Sequence, residues 1–368
     1  MALSPLHELS RLGQSVWIDY LSRDLVAGGG LARAIREDAV VGVTSNPTIF
    51  QQALSRGDAY DAQIRELLDG GADAKEIFIQ LAAADVVAAC DILRPVWAAT
   101  GGRDGFVSLE VDPDLAHDVE ATIEEATRLH ELVDRPNLLV KIPATRPGLE
   151  AVEEMIARGR SINVTLIFAL ERYRAVAEAY LRGLERLVAD GGDPSRVASV
   201  ASFFVSRVDT EVDARLEAIG GHDDLKGRLA VANAKLAYQA YLHIFAGERW
   251  SALRARGARP QRCLWASTST KNPAYRDVLY VEELIGPETV NTMPEVTIRA
   301  FQDHGRVRLT LTEGIDEARR LLERLAEAGI DYGDVTATLE REGVQKFADS
   351  FHELLDGIEA KRLALQVS

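Results

Sequence analysis

The chain has 368 residues, of which 47% are hydrophobic, and its formal net charge at pH 7 is −15. This acidic balance argues against a nucleic-acid or anionic-membrane partner, because both need a basic surface on the protein. The two cysteines, Cys90 and Cys263, belong to no CxxC pair or Cys/His cluster, so a zinc site is not expected. No signal peptide or membrane-spanning stretch is recognised, and we expect a cytoplasmic protein.

Short apolar runs recur along the chain and are separated by helical patterns. The candidate strands are Ser15–Tyr20, Val41–Asn46, Phe106–Val111, Leu138–Ala144, Ile162–Phe168, Val197–Phe204, Cys263–Thr268 and Thr289–Pro294. Near-continuous apolar runs are typical of parallel strands that are covered on both faces. A strand followed by a helix, repeated about eight times, predicts a (β/α)8 TIM barrel of the α/β class. A doubly wound open sheet is the alternative, but no glycine-rich dinucleotide turn follows the first strand.

The chain contains more helical patterns than a minimal barrel needs. The surplus falls in two long intervals, residues 47–105 and 207–261, and in the tail 295–368. Length alone suggests two domains, but α/β barrels often run long as single domains. We therefore expect one barrel domain over residues 1–368 with helical elaborations. In the tail, an apolar stripe within Val344–Ile358 indicates a helix that packs against the barrel rather than one that binds a partner. The composition is compatible with a homo-oligomer but does not set the oligomeric state.

Lys141 is the only charged residue of the run Leu-Leu-Val-Lys-Ile-Pro-Ala at positions 138–144. Burial disfavours the charged form of an amine, and an uncharged lysine amine attacks carbonyl carbon. The pattern therefore predicts a Schiff-base lysine that reacts with a sugar phosphate. The alternative is a structural lysine whose stem crosses the strand end and whose ammonium group reaches solvent.

Active sites of such barrels lie at the carboxyl ends of the strands. Polar side chains occupy that end of nearly every candidate strand: Asp19, Thr44, Ser45, Asn46, Glu110, Lys141, Asn163, Thr165, Ser202, Ser267, Thr268, Ser269, Asn291 and Thr292. Each residue alone has a simpler interpretation, such as a helix cap for Asp19, a turn for Asn46 or a solvated charge for Arg207. Their convergence on one lysine favours a catalytic site.

These residues supply the groups that imine chemistry needs. Glu110 and Thr165, acting through an ordered water, can move protons while the carbinolamine forms and loses water. Asp19 can take the hydroxyl proton when the neighbouring carbon–carbon bond breaks. The groups suited to the hydroxyls of a retained three-carbon unit are Asn46, Asn163 and Ser202. Those suited to a phosphate are Arg207, Ser269 and Lys271.

Several motifs, in order along the chain, resemble those of transaldolases, the Schiff-base-forming enzymes of the pentose phosphate pathway. They are Gly42–Phe50, Leu138–Ala144, Ile162–Phe168, Leu264–Pro273 and Gly343–Phe351. The length is similar to that of the longer bacterial members. The resemblance implies transfer of a dihydroxyacetone unit from sedoheptulose 7-phosphate to glyceraldehyde 3-phosphate, which gives erythrose 4-phosphate and fructose 6-phosphate. It also implies that no metal or organic cofactor is needed, because the lysine imine is the electron sink.

For Lys141, Asp19 and the other site residues, the resemblance implies the same roles that the imine chemistry assigns to them. Two positions depart from the usual pattern: Lys271 stands where many transaldolases have arginine, and Phe203 stands where a proline is common. Lysine keeps the charge but lacks the bidentate fork of arginine. Related fructose-6-phosphate aldolases carry glutamine and tyrosine at the positions of Glu110 and Phe204, so both residues favour a transaldolase. An aldolase-like release of dihydroxyacetone and a non-catalytic sugar-phosphate-binding barrel remain the alternatives.

Overall fold

The computed structural model describes residues 4–45, 50–52, 54 and 58–367, with side chains to residue 364 in the last helix. In this part of the chain eight parallel strands, each hydrogen-bonded to the next, close into a barrel in sequence order. They are β1 Gln14–Asp19, β2 Val40–Thr44, β3 Phe106–Glu110, β4 Leu138–Pro143, β5 Ile162–Ile167, β6 Ser199–Phe204, β7 Arg262–Ala266 and β8 Thr289–Met293. The pairing of β8 with β1 completes the circle. The predicted (β/α)8 barrel is confirmed.

Helices surround the barrel and also fill the long intervals, as the sequence predicts. Within the described residues they are Pro5–Arg11, Arg23–Ala27, Gly30–Glu37, Asp61–Asp69, Ala74–Ala99, Val119–Val133, Arg146–Ala157, Leu170–Ala189, Ser206–Ile219, Leu229–Ile244, Glu248–Ala255, Leu279–Glu282, Glu295–His304, Ile315–Glu327 and Tyr332–Val367. Short 3-10 turns occur at Pro113–Leu115, Pro194–Arg196 and Asp223–Leu225. None of these helices is long and apolar enough to cross a lipid bilayer.

The turn after β4 shows how the sequence fixes a strand end. Thr145 caps the next helix, because its Oγ1 accepts a hydrogen bond from the backbone N–H of Gly148 at 3.0 Å. A Cβ at Gly148 would lie 2.0 Å from the carbonyl oxygen of Pro143, so only glycine permits this close approach of helix to strand. The helix therefore begins directly beyond the strand that carries Lys141.

A buried ion pair joins the strands at the opposite, amino-terminal end of the barrel. The guanidinium of Arg262 donates to Asp104 Oδ1 at 3.0 Å and to Ser15 Oγ at 2.8 Å. Ser15 in turn donates to Asp104 Oδ2 at 2.8 Å. Arg262 is 5% exposed and Asp104 is 7% exposed. Hydrogen bonds thus satisfy both charges, and the group ties β7 to β1 and to the loop before β3.

We predict that Asp104→Ala lowers the free energy of unfolding by about 3–5 kcal/mol, because it leaves the buried guanidinium of Arg262 without its counter-charge. Equilibrium urea unfolding measures the change. The matched control is Arg158→Ala, which breaks an exposed pair with Glu154 and is expected to change stability by roughly 0.5 kcal/mol or less. Equal losses in the two variants would contradict the prediction.

Candidate active site

A cleft of about 290 Å³ opens at the carboxyl end of the barrel. It brings together most of the predicted site residues: Asp19, Lys141, Thr165, Ser202, Phe204, Arg207, Ser269 and Lys271. Two more, Glu110 and Asn163, do not line the cleft but hydrogen-bond to residues that do. Asn46 lies outside the described residues. Ten of the eleven predicted side chains therefore form one connected group.

Lys141 lies at the centre of this group and is only 5% exposed. Its Nζ donates to Glu110 Oε2 at 3.0 Å and to the backbone carbonyl of Ser45 at 3.3 Å. Strand register explains the first contact, because Glu110 stands directly opposite Lys141 on the neighbouring strand. Burial raises the pKa of Glu110 above its usual range, and the positive charge and hydrogen bond of Lys141 oppose that shift. A carboxyl group with a raised pKa next to an amine can exchange a proton with it.

Asp19, at the end of β1, is the second carboxylate of the site. Thr44 Oγ1 donates to Asp19 Oδ1 at 2.7 Å and lies 2.6 Å from Thr292 Oγ1. Because a hydroxyl has one proton to give, Thr292 must be the donor in the second contact. Burial raises the pKa of Asp19, whereas the hydrogen bond from Thr44 and the charges of Lys141 and Lys271 lower it. The two threonines thus support the anionic form of this carboxyl.

A chain of polar side chains lies on the other side of the amine. Asn163 stands opposite Lys141 on β5 and is fully buried. Its Oδ1 accepts a hydrogen bond from Ser202 Oγ at 2.6 Å, and its Nδ2 donates to Ser108 Oγ at 3.0 Å. The hydroxyl of Thr165 is buried and has no hydrogen-bond partner among the described residues. It is therefore available to a water or to a substrate hydroxyl.

Cations and hydroxyls line the outer part of the cleft. Lys271 Nζ donates to Ser269 Oγ at 3.0 Å. The guanidinium of Arg207 lies 5.2 Å from the centre of the Phe204 ring, and its buried Nη1 has no hydrogen-bond partner within the described part of the chain. Burial lowers the pKa of Arg207, and the carboxylate of Glu342 opposes this shift. This wall can bind an anion.

Backbone strain shapes one strand end of the site. Ser267, directly after β7, has a φ of 57°, in the left-handed region that non-glycine residues rarely adopt. Its carbonyl accepts from the N–H of Ser206 at 3.0 Å, and its Oγ lies 2.8 Å from Ser206 Oγ. These bonds hold the turn that leads to Ser269 and Lys271. The sequence carries no glycine that would have signalled this turn.

The last helix, Tyr332–Val367, contributes residues that sequence reasoning missed. Lys346, Phe347 and Ser350 all line the cleft. The prediction that the apolar stripe packs on the barrel is confirmed for Leu354 and Ile358, which are fully buried. Phe347 also packs against the hydrophobic core, but part of its side chain lines the cleft, and the stripe did not indicate that second position. The only available signal was the position of Lys346 beside the stripe, which is shared by many surface lysines.

Thr44 and Thr292 were also missed as participants, although both stand among the polar strand ends. Their role depends on which face of each strand points to Asp19, and the sequence pattern does not show this.

The two cysteines lie outside the cleft, and burial raises the pKa of each to about 12. Among the described residues, no three His, Cys, Asp or Glu side chains are grouped so that they could hold a metal ion.

Comparison with known proteins agrees with the motifs. Residues 16–358 match the family described as Transaldolase/Fructose-6-phosphate aldolase. A protein named Transaldolase from Acidothermus cellulolyticus is 57% identical over 352 residues, which cover 95% of each chain. Proteins of the same name from Frankia alni and Thermobifida fusca are 55% and 53% identical, over 96% and 98% of this chain and 96% and 99% of their own.

These matches extend along almost the whole barrel and include the last helix as far as residue 358. They confirm the family predicted from the motifs, and with it an enzyme that transfers aldehyde or ketone residues. The chain belongs to the transaldolase/fructose-6-phosphate aldolase family and is a transaldolase.

Proposed function

We propose that this transaldolase forms a Schiff base at Lys141 and moves dihydroxyacetone from sedoheptulose 7-phosphate to glyceraldehyde 3-phosphate. The products are erythrose 4-phosphate and fructose 6-phosphate, within the non-oxidative pentose phosphate pathway of the cytoplasm. The observation that carries the proposal is the buried amine of Lys141, held 3.0 Å from Glu110 at the base of a cleft whose outer wall is cationic. An amine attacks the ketone, and the cations bind the phosphate at the other end of the sugar.

Imine formation begins when Lys141 Nζ transfers its proton to Glu110 and attacks the ketone carbon. The carbinolamine then loses water, and Glu110 returns the proton to the departing hydroxyl. Burial, which raises the pKa of Glu110, makes this carboxyl able to hold a proton between the two steps. Thr165 supplies a free hydroxyl to position the water.

Carbon–carbon cleavage follows from the protonated imine. Asp19 takes the proton from the hydroxyl beside the bond that breaks, and the electron pair of that bond moves into the imine to give an enamine. The aldose phosphate leaves, and a second aldose phosphate adds to the enamine by the reverse steps. Asn163 and Ser202 hold the hydroxyls of the retained unit, and Asn46 remains a predicted third contact.

The phosphate is bound by Arg207, Ser269 and Lys271, and Lys346 adds a fourth contact that the sequence did not reveal. Arg207 is the most buried of these three cations, with a buried guanidinium nitrogen, whereas the side chain of Lys346 is 61% exposed and stands at the mouth. Lysine at position 271 binds phosphate as a point charge rather than through a bidentate fork. A cation at each depth suits phosphates of sugars that differ in length.

We predict that fructose 6-phosphate followed by borohydride leaves a dihydroxyacetone adduct on Lys141, identified by peptide mass. An aldose phosphate added before reduction should drain the adduct. Lys141→Arg should give no adduct and no turnover, because its guanidinium stays protonated. A whole-hexose adduct would contradict the role of Asp19. No adduct with bound substrate would leave a sugar-phosphate-binding barrel, and free dihydroxyacetone as the main product would favour an aldolase.

We predict that Thr44→Val moves the acidic limb of the kcat/KM profile to higher pH. The hydrogen bond from Thr44 lowers the pKa of Asp19, so its loss raises that pKa and protonates the base sooner as pH falls. The wild-type limb should itself lie above the usual range of an aspartate, because burial raises the pKa of Asp19. Thr127→Val, on the helix Val119–Val133, is the matched control. An unshifted limb in Thr44→Val would exclude Asp19 as the base.

We predict that Lys346→Gln raises KM for fructose 6-phosphate about tenfold with little change in kcat, since one exposed charge-assisted contact contributes at the low end of roughly 1.5–3 kcal/mol. The control is Arg341→Gln, which removes the same charge from the same helix at an exposed position outside the cleft lining. Equal KM values for the two variants would remove Lys346 from the phosphate site.

A further inference from the structure

The motif Gly343–Phe351 is left without a function by the chemistry above, except for Lys346. It forms part of the helix Tyr332–Val367, which lies against the end of β5. A Cβ at Gly343 would lie 3.2 Å from Leu166 Cδ2 and 3.4 Å from Phe168 Cε2, so glycine allows a close approach here. One helical turn later, the approach places Phe347 in the cleft.

The ring of Phe347 lies beside the amine on which the proposed reaction depends. Its centre is 5.5 Å from Lys141 Nζ, within the range of a cation–π contact. Glu110 and the carbonyl of Ser45 hold Nζ from other directions. The side chain of Lys141 retains only 7% exposure, so polar groups and one aromatic face enclose the amine. Phe351 anchors the helix further along, because its ring packs edge-on against that of Phe78, with 5.5 Å between the ring centres.

This enclosure matters most after cleavage, when the three-carbon enamine waits on Lys141. In one fate the enamine carbon attacks the aldehyde of an acceptor, and transfer is completed. In the other, the carbon takes a proton from water to give an iminium ion, a water adds, and dihydroxyacetone leaves with the amine regenerated. The second fate consumes one water in total and returns the proton. Water beside the enamine therefore decides how much product is lost.

We propose that Phe347 controls this partition by keeping water away from the enamine. It thereby favours transfer of the three-carbon unit to an acceptor over its release as dihydroxyacetone. The inference rests on the proposed Schiff-base function. Phe347 acts as a positioning residue, because its ring contributes no proton and no bond.

The test measures two products of one enzyme. Fructose 6-phosphate is supplied with erythrose 4-phosphate, and free dihydroxyacetone is compared with the sedoheptulose 7-phosphate formed. We expect the ratio to rise about tenfold in Phe347→Ala, equivalent to about 1.4 kcal/mol in relative barrier height. The ratio should rise less in Phe347→Leu, which keeps an apolar side chain but has no ring. Val344→Ala is the matched control on the same helix, outside the cleft lining, and should keep the wild-type ratio.

Separate outcomes distinguish the two proposals. A wild-type ratio in both Phe347 variants, with the borohydride adduct still present on Lys141, would overturn the inference alone. Absence of the adduct in the wild-type enzyme would overturn the proposed function. A raised ratio in Val344→Ala equal to that of Phe347→Ala would assign the effect to loosening of the helix and would also overturn the inference. If Phe347→Ala does not fold, the ratio in Phe347→Leu decides.

Discussion

The buried pair of Lys141 and Glu110 is the interaction on which the site depends. Neither charge is stable alone in the interior, and removal of one partner from such a pair leaves an uncompensated charge that costs about 3–5 kcal/mol. The barrel resolves this by register, because β3 and β4 place the two residues directly opposite each other. The same register sets Asn163 on the other flank of the amine. The pair is therefore a structural requirement, and in the proposed mechanism it also moves one proton.

The two carboxyl groups of the site share one cause of perturbation but differ in their partners. Burial raises the pKa of both Asp19 and Glu110. Lys141 lowers the pKa of both groups. Thr44 and Lys271 further lower the pKa of Asp19, whereas the charge of Asp19 raises the pKa of Glu110. An acidic protein thus builds a cleft with a cationic wall, and the proposed mechanism uses its buried carboxyl groups as acid and base.

The barrel was predictable because its strands are apolar runs buried on both faces, and each run ends in polar residues. Strand six begins at Ser199 rather than Val197, since the turn Pro194–Arg196 delays the strand. The inner site followed from the same strand ends. The contributions of Thr44 and Phe347 could not be predicted from the strand ends, because they depend on how distant segments of the chain pack together. The left-handed turn at Ser267 was also hidden, since hydrogen bonds to Ser206 hold it rather than a glycine.

Phe347 lies late in the chain, so the site is complete only after the last helix has been synthesised. The last strand of the barrel ends at Met293, and the helix that covers Lys141 begins only at Tyr332. All eight strands and Lys141 are therefore translated before the helix that covers the amine. A barrel that lacked this helix would hold an open amine, from which the proposed enamine would be lost to water. With the proposed role of Phe347, faithful group transfer requires that the last helix be translated and docked.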